Sequence, residues 1–142
     1  MIEMTEKTNL QPAQDKKPLV IFAHSDGFDK LYQVSSIALT ATVSGRPVAV
    51  VLFFWALRAV VRGETDELIF NACSPQASDT AKEKISTSNH PNPSEMLGMA
   101  RESGRLKLFA CSASMQFMDL ELEDTRTAVD EVVGLSTILR LS

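Results

Sequence analysis

Cysteine is scarce in this chain. The two that occur, Cys73 and Cys111, lie far apart, and no C-x-x-C pair is present. That excludes a disulfide framework and a zinc knuckle, and two free thiols suit a reducing cytoplasm, which is the expected location. Long apolar runs are missing as well. The longest, Val48 to Leu57, falls short of the roughly 20 residues that a bilayer span needs, so membrane insertion is not expected. Excess positive charge is also absent. The formal net charge is −4, which argues against a broad nucleic-acid-binding face. There is no Walker loop, no GxGxxG after the first apolar run and no HExxH, so no cofactor or metal is implied. Residues 1 to 17 alternate charged and polar groups without the apolar segment of a signal peptide.

What is present is a length of 142 residues with 44% hydrophobic and 23% charged side chains, enough for one domain with a sizeable core. Residues 1–17 read as a disordered tail and 18–142 as a single α/β domain. Leu19 to Ala23 is a continuous apolar run, as in a strand covered on both faces. His24-Ser25-Asp26-Gly27 is a sharp turn in which Ser25 or Asp26 can cap a helix from about Phe28 to Ser44. Leu31, Val34, Ile37, Ala38 and Ala41 fall on one face of that helix, and Gly45 ends it. Val48 to Phe54 is a second buried strand, and strand, helix and strand with short turns make a right-handed parallel βαβ unit.

Trp55 to Val61 reads equally as a short helix or a strand, and Leu68, Ile69 and Phe70 suggest another short element. Ser74 to Pro93, polar and with three prolines, reads as a long loop. A helix from Pro93 to about Ser103 has Met96, Leu97, Met99 and Ala100 as its inner face. Leu120 to Thr125 reads as a charged connection, Thr127 to Val133 as a last strand and Gly134 to Leu141 as a closing helix.

The sharpest functional signal is Leu106 to Met118. Gly104 stops the preceding helix, Leu106 to Ala110 enters the core as a strand, and Ser112 and Ser114 can cap a helix whose apolar side is Met115, Phe117 and Met118. Cys111 falls at the junction, at the carboxyl end of a strand, where ligands bind in open α/β sheets. A helix start there favours thiolate, the reactive form. Cys111 is therefore either a reactive nucleophile or a small buried hydrophobe at a strand end. His24 ends the first strand on the same edge and either assists the thiolate or serves as a structural hydrogen-bonder. Ser25 and Asp26 are caps that can also line a pocket there. Ser114, at C-x-x-S spacing, can bond the sulfur or cap the helix beside Ser112. Trp55, with Phe53 and Phe54, walls a pocket or an interface. Cys73 is either a resolving thiol for Cys111 or incidental.

The run Glu95-Met96-Leu97 and Gly104 to Met115, with Cys111-Ser112-Ala113-Ser114 at its centre, resembles the DsrE/DsrF-like family, the sulfur-relay and so-called peroxiredoxin-like small α/β proteins. Val20 to Asp26, Gly45-Arg46-Pro47-Val48, Phe53 to Leu57 and Val129 to Leu135 resemble it as well. The likeness spans Pro18 to Leu141. It implies a three-layer α/β/α sandwich on a mainly parallel sheet of about five strands, and a homo-oligomer. It further implies a persulfide carried on Cys111, received from a sulfur donor protein and passed to an acceptor. The alternative on the same fold is a non-catalytic oligomeric binding module with a small-ligand or partner pocket at the Cys111 edge.

Overall fold

The computed structural model describes residues 16–71 and 74–141. Cys73, and the expected tail except for Lys16 and Lys17, lie outside the described residues. The strands are β1 (Leu19–Ala23), β2 (Val48–Leu52), β3 (Leu106–Cys111) and β4 (Glu131–Val133). The helices are α1 (Phe28–Val43), α2 (Phe54–Arg62), α3 (Pro75–Ser86), α4 (Pro93–Glu102), α5 (Ser112–Phe117), α6 (Leu122–Ala128) and α7 (Leu135–Leu139).

All neighbouring strands are parallel, and their order across the sheet is β1-β2-β3-β4. Ala23, Leu52 and Ala110 share one row of the register, continued by Val132. This is the expected α/β sandwich, with four strands rather than about five. Of the two readings open for Trp55 to Val61, the structure shows the helix, α2. Around Leu68 to Phe70 the Ile69 carbonyl accepts from the Phe28 N–H at 2.7 Å instead of a strand.

Strand alternation divides the core. On one face Val48, Val50, Leu52, Leu106, Leu108 and Ala110 pack against Leu31 and Ala38 of α1, Ala56 and Leu57 of α2, and Leu97 and Ala100 of α4. On the other face Val51, Phe109, Cys111 and Val133 pack against Ile138 of the short helix α7. The first cluster is much the larger, so the described residues cover the sheet thickly on one side and thinly on the other.

Several boundaries differ from expectation. α1 buries Leu31 and Ala38 as its spacing predicts, but Ile37 is exposed. Its N-cap is Gly27, with no side-chain cap; Ser25 Oγ accepts from the Gly27 N–H at 3.1 Å. Gly45, at φ 86°, does end this helix, and the Arg46 N–H returns to the Ala41 carbonyl. Ser74 to Pro93 is not one long loop. Ser74 Oγ accepts from the Ala77 N–H, Pro75 takes the first helical position and α3 runs to Ser86. α3 has no buried residue, so no apolar stripe announced it. α4 begins with a full capping box between Asn92 and Glu95, and its Met99 is exposed rather than inward. The connection before the last strand holds α6, and β4 is only three residues long.

Asp130 fastens β4 to β3. Its N–H donates to the Leu108 carbonyl at 2.9 Å, and its carboxylate accepts from the Leu108 N–H at 2.7 Å and from Arg101 at 3.1 Å. Asp130→Ala leaves the Leu108 N–H without that acceptor. It is expected to lower stability by about 1–3 kcal/mol, read as a lower urea midpoint with an unchanged slope.

Candidate functional site

The carboxyl edge of the sheet collects the predicted site residues but separates two of them. Continuing the register one row beyond Ala23, Leu52 and Ala110 aligns His24, Phe53 and Cys111. His24 and Cys111 are thus two strands apart, a backbone separation of about 9–10 Å, with Phe53 between them. The Phe53 N–H donates to the Ala23 carbonyl at 2.8 Å, and its ring meets Phe22 edge-on at 6.0 Å. That ring packs against the cluster containing Cys111.

Cys111 is 4% exposed, and its neighbours in that cluster are Val51, Phe109, Val133 and Ile138. Period-two alternation sends Leu106, Leu108 and Ala110 to the thickly covered face and Cys111 to the other, where α7 shields it. Cys111 lies outside the lining of each of the five cavities described. It is the N-cap of α5, without a side-chain cap bond, so neither Ser112 nor Ser114 caps that helix. α5 is six residues long, fewer than two turns, and its dipole is correspondingly short. Ser112 is half-buried. Ser114 is 1% exposed, and its Oγ has no hydrogen-bond partner.

His24 is exposed. It lines a hollow of about 450 Å³ with Phe22, Phe53, Phe54 and Trp55, and a smaller one of about 170 Å³ with Ser25, Lys30 and Gln33. Asp26 is half-buried and borders neither. The structure therefore joins His24 to Trp55 and to Ser25, and leaves Cys111 apart. Among the described residues, no group of three or more His, Cys, Asp or Glu side chains could hold a metal. No helix among them is long and apolar enough to cross a membrane.

The edge is unusually aromatic. Trp55 is 53% exposed, Phe22 55% and Phe117 74%, with Phe54 also in solvent. Phe54 and Phe117 stack face to face, centroids 6.1 Å apart and planes 4° off parallel. Phe54 has φ 44° at the first residue of α2, a left-handed conformation that is an outlier for a bulky side chain and costs about 1–3 kcal/mol. Phe54 lies beside Trp55 as the run Phe53-Phe54-Trp55 suggests, since three large rings in succession where a strand becomes a helix cannot all turn inward; Phe22 and Phe117 carry no such signal in the sequence.

Compared with known proteins, the chain matches no family model and no curated protein.

The burial of Cys111 has a direct consequence. In the Cys73→Ser protein, alkylation of Cys111 under native conditions is expected to be at least about tenfold slower than in urea, since reaction waits on local opening. Ile138→Ala, which thins the cover, is expected to speed it. Equal native and unfolded rates would contradict the sealed position.

Proposed function

We propose that this protein is a non-catalytic assembly module that joins a second copy of itself through the aromatic carboxyl edge of its sheet. The observation that carries this reading is the ring of exposed apolar side chains there. Phe22, Phe54, Trp55 and Phe117 stand in solvent, while the one described thiol at that edge is sealed. Leu135, directly after β4, adds a fifth exposed apolar group. Patches of this kind mark interaction sites, and aromatic residues are enriched at their centres. An all-parallel sheet is normally covered on both faces, and a copy docked on this edge would extend the thin cover past α7. The largely aromatic surface suits an isologous contact, in which the same patch meets itself about a two-fold axis. The backbone strain at Phe54 fits too, because strained conformations gather where function requires a presented side chain.

Trp55 is the only tryptophan in the chain, so its fluorescence reports this edge alone. Raising the protein concentration is expected to shift its emission to the blue in step with an increase in sedimenting mass. Phe117→Asp is expected to abolish both changes. Phe54→Gly, which relieves the positive φ, is expected to keep or raise stability by about 1 kcal/mol while weakening association. A protein that sediments as a monomer into the high micromolar range, with constant Trp55 emission, would sink the proposal.

A second reading is the persulfide carrier that the resemblance to DsrE/DsrF-like proteins implies. What favours it is the partnerless Ser114 hydroxyl, buried in the turn after Cys111. A sulfur chain on Cys111 would offer it an acceptor. In that chemistry the Cys111 thiolate attacks the outer sulfur of a donor persulfide. A new S–S bond forms at Cys111, the donor's S–S bond breaks, and the donor leaves as a thiolate. α7 must first move aside. Intact-mass measurement after exposure to a small persulfide tests it. Added sulfur that disappears in Cys111→Ser supports the carrier, and no added sulfur in the native protein excludes it.

A further inference from the structure

A separate cavity of about 500 Å³ lies between the starts of α1 and α4, away from Cys111. Its size is in the range that takes a small organic ligand. Phe28, Tyr32 and Phe70 form one continuous aromatic wall, with centroid separations of 6.0 Å for Phe28–Tyr32 and 5.9 Å for Phe28–Phe70. Leu68, Ile85 and Pro91 extend the apolar lining, and its polar side holds Asp29 and Asp66 together with Ser88, His90 and Asn92. No lysine or arginine lines it.

The wall is held from two directions. Phe28 donates its N–H to the Ile69 carbonyl at 2.7 Å, which pins the loop bearing Leu68 and Phe70. Asp66, in the same loop, accepts from the Ser94 N–H at 2.8 Å and from its hydroxyl. The cavity is therefore largely pre-formed, and preorganisation lowers the cost of binding.

Charge decides what it can take. Two helix starts would by themselves favour an anion, contributing about half a positive charge each. Their amides are already used: the Ser94 N–H by Asp66, the Glu95 N–H by Asn92, and the Phe28 N–H by Ile69. Two full carboxylate charges outweigh what remains of the two dipoles. Lys30, the cation paired with Asp29 at 3.1 Å, is exposed and outside the lining, so water and salt screen it. Aromatic faces also attract cations through their quadrupoles.

We propose that this cavity is a binding site for a small organic cation, an ammonium group carried on an apolar body. The ammonium meets the Phe28, Tyr32 and Phe70 rings and the Asp29 and Asp66 carboxylates, and the apolar part lies along Leu68 and Ile85. The proposal is independent of the carboxyl-edge assembly and of any chemistry at Cys111.

The test uses the full chain and three probes: benzyltrimethylammonium, neutral benzyl alcohol and anionic benzenesulfonate. Amide chemical shifts are followed during each titration. The cation is expected to give saturable shifts at Phe28, Tyr32 and Phe70, and to bind at least about fivefold more tightly than either other probe. Phe70→Leu and Asp29→Asn, both with unchanged amide spectra elsewhere, are each expected to weaken it by about three- to tenfold. The proposal is overturned if the cation gives no saturable shift at millimolar concentration. It is equally overturned if benzyl alcohol or benzenesulfonate binds as well, or if the shifts fall at Trp55 instead.

Discussion

The hydrogen-bonded alignment of four parallel strands in sequential order sets almost everything else. A parallel neighbour can be reached only by crossing over the sheet, and such crossovers are right-handed. When each step moves in the same direction across the sheet, right-handedness delivers each connecting segment to the same face. Leu31 and Ala38 of α1, Ala56 and Leu57 of α2, and Leu97 and Ala100 of α4 accordingly share one cluster. Among the described residues, the opposite face receives the segment beyond the last strand, with the five-residue helix α7. Burial is therefore unequal, and the inequality is a product of strand order rather than of composition.

That inequality determines the fate of the site. β3 places Ala110 toward the thick layer and Cys111 toward the thin one, in the buried cluster that includes Ile138. The same row of the register puts Phe53 between Cys111 and His24, so a thiol and an imidazole on one edge of one sheet have no direct contact. Meanwhile the strand-to-helix turn after β2 must accommodate three rings. Phe53 goes inward, whereas Phe54 adopts φ 44° and stacks on Phe117 in solvent. The edge is consequently aromatic on its surface, with the thiol buried beneath it. The cavity beside α1 arises from a different device. A loop is tied at Ile69 to one helix and at Asp66 to another, and an aromatic wall stands between the two attachments.

Much of the frame was legible in the chain. The apolar runs at Leu19, Val48 and Leu106 are strands because uninterrupted apolar stretches suit a sheet buried on both sides. Gly45 and Gly104, at φ 86° and 76°, end helices where a side chain would meet strain. α3 escaped notice because it buries nothing: its only clear signals are Ser74 and Pro75 at its start, and helices are usually recognised by a stripe. α6 was hidden by its charges, since Leu120 to Thr125 reads as a charged connection until Thr125 is seen to be buried.

The amino-acid order by itself determined an α/β fold on a parallel sheet, and that Cys111 ends a strand where a helix begins. Those facts are local, because they depend on periodicity, glycine positions and caps. Whether the thiol faces a cleft or a hydrocarbon layer was decided only by tertiary structure. It depends on which face α7 covers and on Phe53 standing between Cys111 and His24, and pairing register between distant segments carries no mark within any one of them.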